Sequence, residues 1–455
     1  MEMRVLPHAR NPADDAVPGV PPPSRRGSWR RRATLAALIL TAIATAGGLT
    51  IRAVDGPAPR RAVSAQAAAK PGAVDVVQRA AAVDAILRRR AQAVLRHRPD
   101  AFVADVDPRN PRLIARQRVL YGNLVQFGFD RLSYLPVREQ YDAALEERRG
   151  ASAYAVQVVM AYRIKGIDAT TVHTPLGYTF VRVDGRWVLT ADDDLDHGLP
   201  VGSHREPWDT GPVLVRRALR VLVVVERGEA GLARSLVRDA RSAVRAVSRR
   251  WPRGWDGAGL VIALRDHRVR TADYDVSKNA EDAVAMATAV YRTLPGETSS
   301  EGERGASYVV VNPRYRIRLT ARILAHEFTH VATAPYGCNA PRWLVEGFAG
   351  YVEYLPMDGE PDLDLDRYRT RVRDTYLAQV IGFPSDHLFY TSVVTSYAIG
   401  WYAVDWLISH YGPRKLASLY DDLAAHGFDQ VQRDRIMTSH LAMTEQELFR
   451  ELKRR

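Results

Sequence analysis

The chain has 455 residues, 46% hydrophobic and 25% charged, which is enough apolar material for two or three packed domains and too little charge bias for wholesale disorder. The formal net charge of +12 comes mainly from arginines dispersed among acids, with no basic cluster alternating with aromatics, so no nucleic-acid partner is expected. An acidic membrane or cell-wall surface suits that charge better. The single cysteine, Cys338, excludes an internal disulfide and leaves secretion undecided by cysteine usage.

Residues 1–32 are rich in proline and arginine, ending in Arg30-Arg31-Arg32. An uncharged stretch then runs for nineteen residues from Ala33 to Ile51. At about 1.5 Å per helical residue it is long enough to cross a hydrocarbon core. The arginines before it place a 1–32 leader in the cytoplasm, with 33–51 as a retained single-pass anchor and the rest of the chain extracytoplasmic at the cell membrane. Cleavage after Ala44-Thr45-Ala46, giving a secreted protein, is the alternative. Residues 52–72, rich in Ala, Pro, Gly and Arg, read as a linker.

Residues 73–135 carry helical periodicity, with Val76, Ala80, Val83, Ile86 and Leu87 on one face and Leu113, Val119, Leu120, Leu124 and Phe127 on another. Strand-forming runs follow at Ala153–Tyr162, Tyr178–Val183 and Arg186–Thr190, the last two flanking the hairpin signal Asp184-Gly185. Helices followed by an antiparallel sheet that ends in a DGRWVL strand resemble the nuclear-transport-factor-2-like (cystatin-like) fold over 73–198. The resemblance implies a spacer or binding module with no marked catalytic pocket. His173 and His197 read as ordinary surface or loop histidines.

Gly202, Pro207, Gly211 and Pro212 mark a boundary within 198–212. In 213–455 the pattern predicts a strand at 219–225, a helix at 231–251, a strand at 260–264, a helix at 277–293 and a strand at 307–311. From about 319 onward almost everything reads as helix, an α+β arrangement. The 307–311 strand, lying just before the chemistry-bearing helix, is a candidate edge for an added substrate strand.

His326-Glu327-Phe328-Thr329-His330 is an HExxH sequence. On a helix, positions i and i+4 share a face, so both imidazoles reach one ion, and Glu327 projects beside it as a base for a bound water. Leu324, Phe328 and Val331 make an apolar stripe that packs the opposite side. Standing alone, five residues carry a coincidence risk. A second predicted helix, Pro341–Tyr351, contributes Glu346 among small residues that permit close approach. Two histidines and one glutamate leave a fourth position open, the catalytic rather than the structural zinc pattern.

HEFTH followed by WLVEGFAGY resembles the gluzincin metallopeptidases, especially the bacterial peptidase MA-like group, over roughly 215–455. The resemblance implies a zincin-like domain with a small sheet and a helical C-terminal lobe, Zn2+ on His326, His330 and Glu346, and Glu327 as general base. Fifteen residues separate His330 from Glu346, ordinary for that group. Some gluzincins carry an acid one turn after the ligand glutamate. That position is Gly350 here, so Glu353 or another group must orient a ligand histidine. The motif that recognises a free amino terminus in the aminopeptidase branch is absent, which favours an endopeptidase. For the oxyanion, Tyr397 sits where relatives often carry a tyrosine; a core aromatic is its other reading, and Tyr390 and His387 are weaker candidates. Cys338 reads as a loop thiol rather than a metal cap, and His410, His426 and His440 as structural or exposed.

The whole chain therefore reads as an α+β protein comprising an anchor helix, a nuclear-transport-factor-2-like domain (73–198) and a metallopeptidase domain (213–455). The expected activity is hydrolysis of a peptide or protein substrate by zinc-activated water, at a membrane reached through the N-terminal helix. A catalytically inactive zincin-fold binding protein and a zinc hydrolase of a non-peptide cell-wall amide are the alternatives. The sequence does not specify an oligomeric state.

Overall fold

The computed structural model describes residues 71–140, 143–149, 153–198, 206–266, 283–291, 304–358 and 360–454. These fall into two compact units, the described parts of Ala44–Pro212 with Tyr291–Gly305 and those of Val213–Val290 with Ala306–Arg455.

In the first unit three helices precede a sheet: α1 (Pro71–Leu95), α2 (Pro99–Val103) and α3 (Pro111–Leu124). Pro opens α2 and α3 where an N–H would be unpaired anyway, and Asn110 caps α3 by accepting from the Leu113 amide. Four antiparallel strands follow in the order β1 (Phe129–Gln140), β2 (Tyr154–Ile164), β3 (Val172–Val183) and β4 (Arg186–Ala191), with α4 (Ala143–Arg149) between β1 and β2. Positive φ at Asp184 and Gly185 makes the tight β3–β4 turn that the Asp-Gly pair predicts. Residues 129–135, expected to be helical, belong to β1 instead. α3 ends at Leu124, and Gly128, at φ 71°, leads the chain from the following turn into β1.

The second unit holds a five-stranded sheet of β5 (Val213–Ala218), β6 (Val221–Glu226), β7 (Gly259–Ile262), β8 (Ala285–Tyr291) and β9 (Arg304–Val311). Its spatial order is β5-β6-β7-β9-β8. The β5–β6 hairpin is antiparallel, while β6–β7 and β7–β9 are parallel. The right-handed connection expected of such parallel strands runs through α5 (Ala230–Arg250), whose Ala233, Leu236, Ala240, Ala243 and Val247 are buried at helical spacing. Two expectations are corrected here. Residues 285–291, read as part of a helix at 277–293, form β8; residues 277–282 and 292–293 lie outside the described residues. The 307–311 strand lies between β7 and β8 and has no open edge, so the sheet edge near the helices is β8.

Seven helices complete this unit's described part: α6 (Ala321–Thr333), α7 (Arg342–Tyr354), α8 (Leu365–Arg371), α9 (Val393–Tyr411), α10 (Pro413–His426), α11 (Gln430–Leu441) and α12 (Glu445–Arg454). Thr320 caps α6 through the Ile323 amide, and all thirteen of its residues are buried. A Cβ on Gly259 would come within 3.0 Å of the Phe328 ring, so β7 and α6 are in close contact. Gly347 and Gly400 bring α7 and α9 together. A Cβ on Gly347 would lie 2.3 Å from the Gly400 carbonyl oxygen, and one on Gly400 would lie 2.6 Å from that of Trp343.

The expected single-pass membrane architecture and the localisation built on it are corrected. Among the described residues no helix is long and apolar enough to cross a membrane. The 33–51 stretch, with the 1–32 leader and most of the 52–72 linker, lies outside the described residues. What stands is a mixed α+β fold.

Gly347→Ala is expected to lower the unfolding free energy by about 1–3 kcal/mol in urea titration, because backbone cannot yield as a side chain can. Gly228→Ala, whose Cβ would meet nothing within 4 Å, should stay within about 0.5 kcal/mol of the wild type. Equal stability of the two variants would contradict the close helix crossing.

Candidate metal centre

α6 presents His326 and His330 on one face, and α7 brings Glu346 against them. One donor atom from each lies within 4.8 Å of the others. Oε2 of Glu346 stands 3.3 Å from Nε2 of His326 and 3.5 Å from Nε2 of His330. The two rings are nearly edge-to-face, with centroids 4.9 Å apart. All three residues are buried, the most exposed being His330 at 4%.

Glu353, about two turns beyond Glu346 on α7, accepts from Nδ1 of His326 at 3.0 Å. A carboxylate only accepts, so it fixes the hydrogen on Nδ1 and aims Nε2 at Glu346 and His330. It fills the role that Gly350 leaves open, as the spacing allowed. Glu327 is fully buried between the trio and the sheet edge, and its Oε2 accepts from the Ala287 amide of β8 at 2.7 Å. Its Oε1 is buried without a hydrogen-bond partner.

The electrostatics follow from burying so many carboxylates together. Burial pushes Glu327 up to about 7, with the negative charge of Glu346 adding to it. Burial lowers His326, but hydrogen bonds to Glu346 and Glu353 outweigh it and raise the group to about 10. Burial holds His330 below its ordinary value. Glu346, despite the burial that disfavours its charge, is held well below the carboxylate range by the two imidazoles. The buried carboxylates thus set up a field that favours positive charge beside them.

Tyr397, on α9, lies beside the trio with its ring stacked at 6.1 Å from that of His326, and it is buried at 1% exposure. The hydroxyl of Tyr390 donates to Oε1 of Glu346 at 2.9 Å, and Tyr397 also bonds the Glu346 carboxylate. His387 and Cys338 are exposed, and neither joins the three-residue cluster. His410 bonds the Trp406 carbonyl, and His440 bonds Asp422. Sequence reasoning missed Arg342 and the Ala287 amide. Arg342 carried a signal in its i−4 spacing from Glu346; a backbone amide from a separate strand carries none.

No family model matches the chain, and no curated protein matches it. Among solved structures the chain is similar to an M1 zinc metallopeptidase from Deinococcus radiodurans, with 16% sequence identity and a TM-score of 0.27. The match covers 66% of this chain and 61% of that one. A likeness at that level carries no argument, and nothing among these comparisons supports a nuclear-transport-factor-2-like domain. The chemistry of the site rests on its own geometry.

The donor set suits zinc: two imidazole nitrogens and one carboxylate oxygen, with the next acceptor, Oε1 of Glu327, lacking any protein donor. Glu353→Gln keeps the volume but removes the charge that steadies His326. Its zinc dissociation constant, measured by competition with a chromophoric chelator, should rise about 10–100-fold. An unchanged constant would mean that Glu353 is a packing residue only.

Proposed function

We propose that the protein is a zinc-dependent metallopeptidase acting on peptide bonds within a peptide or protein chain. His326, His330 and Glu346 hold the ion, and Glu327 is the general base. The observation that carries this is the unpartnered Oε1 of Glu327, buried beside three converging donors. A buried acceptor without a donor is costly, and a catalytic water supplies one.

Zinc bound there would polarise the scissile carbonyl and lower the pKa of a water. The chain's own residues do the rest. Glu327, its Oε2 fixed by the Ala287 amide, takes the attacking water's proton at Oε1 and passes it to the leaving amine. Without the ion, burial raises its proton affinity. β8, the last strand of the described sheet and bonded to Glu327 through Ala287, is the strand along which an extended substrate would add. An extended segment laid along a strand supports cleavage inside a chain. Tyr397 is assigned as the donor to the developing oxyanion, on the strength of its place against His326.

Hydrolysis of an unstructured protein, read alongside zinc content, tests these roles separately. Glu327→Gln should keep zinc and lose at least about 10²-fold in kcat/KM. Tyr397→Phe should keep zinc and lose about 10²–10³-fold in kcat with little change in KM. Bound zinc with cleavage indifferent to Glu327 would defeat the peptidase proposal, and full activity in Tyr397→Phe would remove that residue from it.

A further inference from the structure

Glu346 is engaged on both of its oxygens, by different parts of the molecule. Oε2 faces the two imidazoles, while Oε1 accepts from the Tyr390 hydroxyl at 2.9 Å. That hydroxyl in turn accepts from Nη1 of Arg342 at 3.1 Å, and the guanidinium carbon lies 5.5 Å from the Tyr390 ring centroid. Arg342 and Glu346 are four residues apart, on the same face of α7. The clamp therefore closes on the ligand helix itself, through a phenol delivered by the short 3₁₀ turn Phe389–Ser392.

The same segment secures the start of that helix. Pro341 precedes α7 and offers no side-chain cap. Asp386 accepts from the Arg342 amide at 2.7 Å instead, placing an anion at the helix N-terminus, and its other oxygen accepts from Arg433 of α11 at 2.6 Å. Residues 386–390 thus hold α7 twice, once at its first amide and once at its ligand carboxylate.

We propose that Tyr390 and Arg342 are a positioning pair for the metal ligand Glu346. The Tyr390 hydroxyl, oriented by Arg342, occupies Oε1 and leaves Oε2 as the coordinating oxygen, which raises the site's affinity for zinc. Neither residue is required to touch the reacting atoms. The pair rests on the zinc proposal above and adds to it a reason why one carboxylate oxygen, and not both, is presented to the ion.

Tyr390→Phe deletes one oxygen atom. Zinc dissociation constants by chelator competition, with urea unfolding of the metal-free full chain in parallel, form the test. The expected result is a constant raised about 10–100-fold with the metal-free unfolding midpoint little changed. Arg342→Met should weaken zinc in the same direction. The double variant should be no weaker than Tyr390→Phe alone, because Arg342 acts through the hydroxyl. Tyr411→Phe, at the far end of α9, should bind as the wild type does. If Tyr390→Phe does not fold, Arg342→Met alone decides by whether its constant rises. An unchanged constant in Tyr390→Phe, an additive double variant, or an equal shift in Tyr411→Phe would overturn the pairing while leaving the zinc centre standing. A wild type that binds no zinc would overturn both.

Discussion

A fully buried carboxylate, Glu346, facing two buried imidazoles is the constraint around which the second unit is arranged. An isolated buried carboxylate costs several kcal/mol, so its neighbours must supply positive or hydrogen-bonding character on every side. α6 does so with His326 and His330, and the 389–392 turn with Tyr390. α7 must therefore lie close to its neighbours, and Gly347 against Gly400 is where α9 permits it. Packing and chemistry are linked here: Gly347, which admits the approach, directly follows the residue that needs it.

The helices that carry the candidate metal cluster also tie it to the sheet. β7 touches α6 at Gly259 and Phe328, and β8 reaches Glu327 through the Ala287 amide. In the proposed reaction, Glu327 fixed on one oxygen by a strand and left unpartnered on the other is pre-aimed as a base, which lowers the reorganisation needed when a proton is transferred. Glu353 does the corresponding work for His326, fixing its tautomer from behind.

Much of this was legible in the chain because it rests on short-range geometry. HEFTH places two imidazoles and a carboxylate by helical spacing alone, and Glu346 stands out among small residues on the next helix. Asp184-Gly185 announces a turn whose φ values only such residues adopt readily. The failures lie where tertiary context decides. Ala285-Met-Ala-Thr-Ala-Val-Tyr291 is rich in helix-favouring alanine, yet it is a strand because β9 offers it an edge; Asn312 ties its approach through the Ala283 and Val284 carbonyls, both at 2.8 Å. Gly128 was the overlooked signal that separates the helical segment from β1. Tyr390 has no motif around it, and its role follows only from where the chain returns in space. The apolar run at 33–51 illustrates the opposite error, in which length and hydropathy were given an architecture that the described helices do not supply.

X-ray absorption at the zinc edge of the zinc-loaded full chain tests the central claim most directly. The account predicts two imidazole nitrogens at about 2.0–2.1 Å, with oxygen donors at about 2.0–2.2 Å and no sulfur, and loss of that signature in both His326→Ala and Glu346→Ala. A sulfur shell at about 2.3 Å from Cys338, or a spectrum unchanged in those variants, would contradict it.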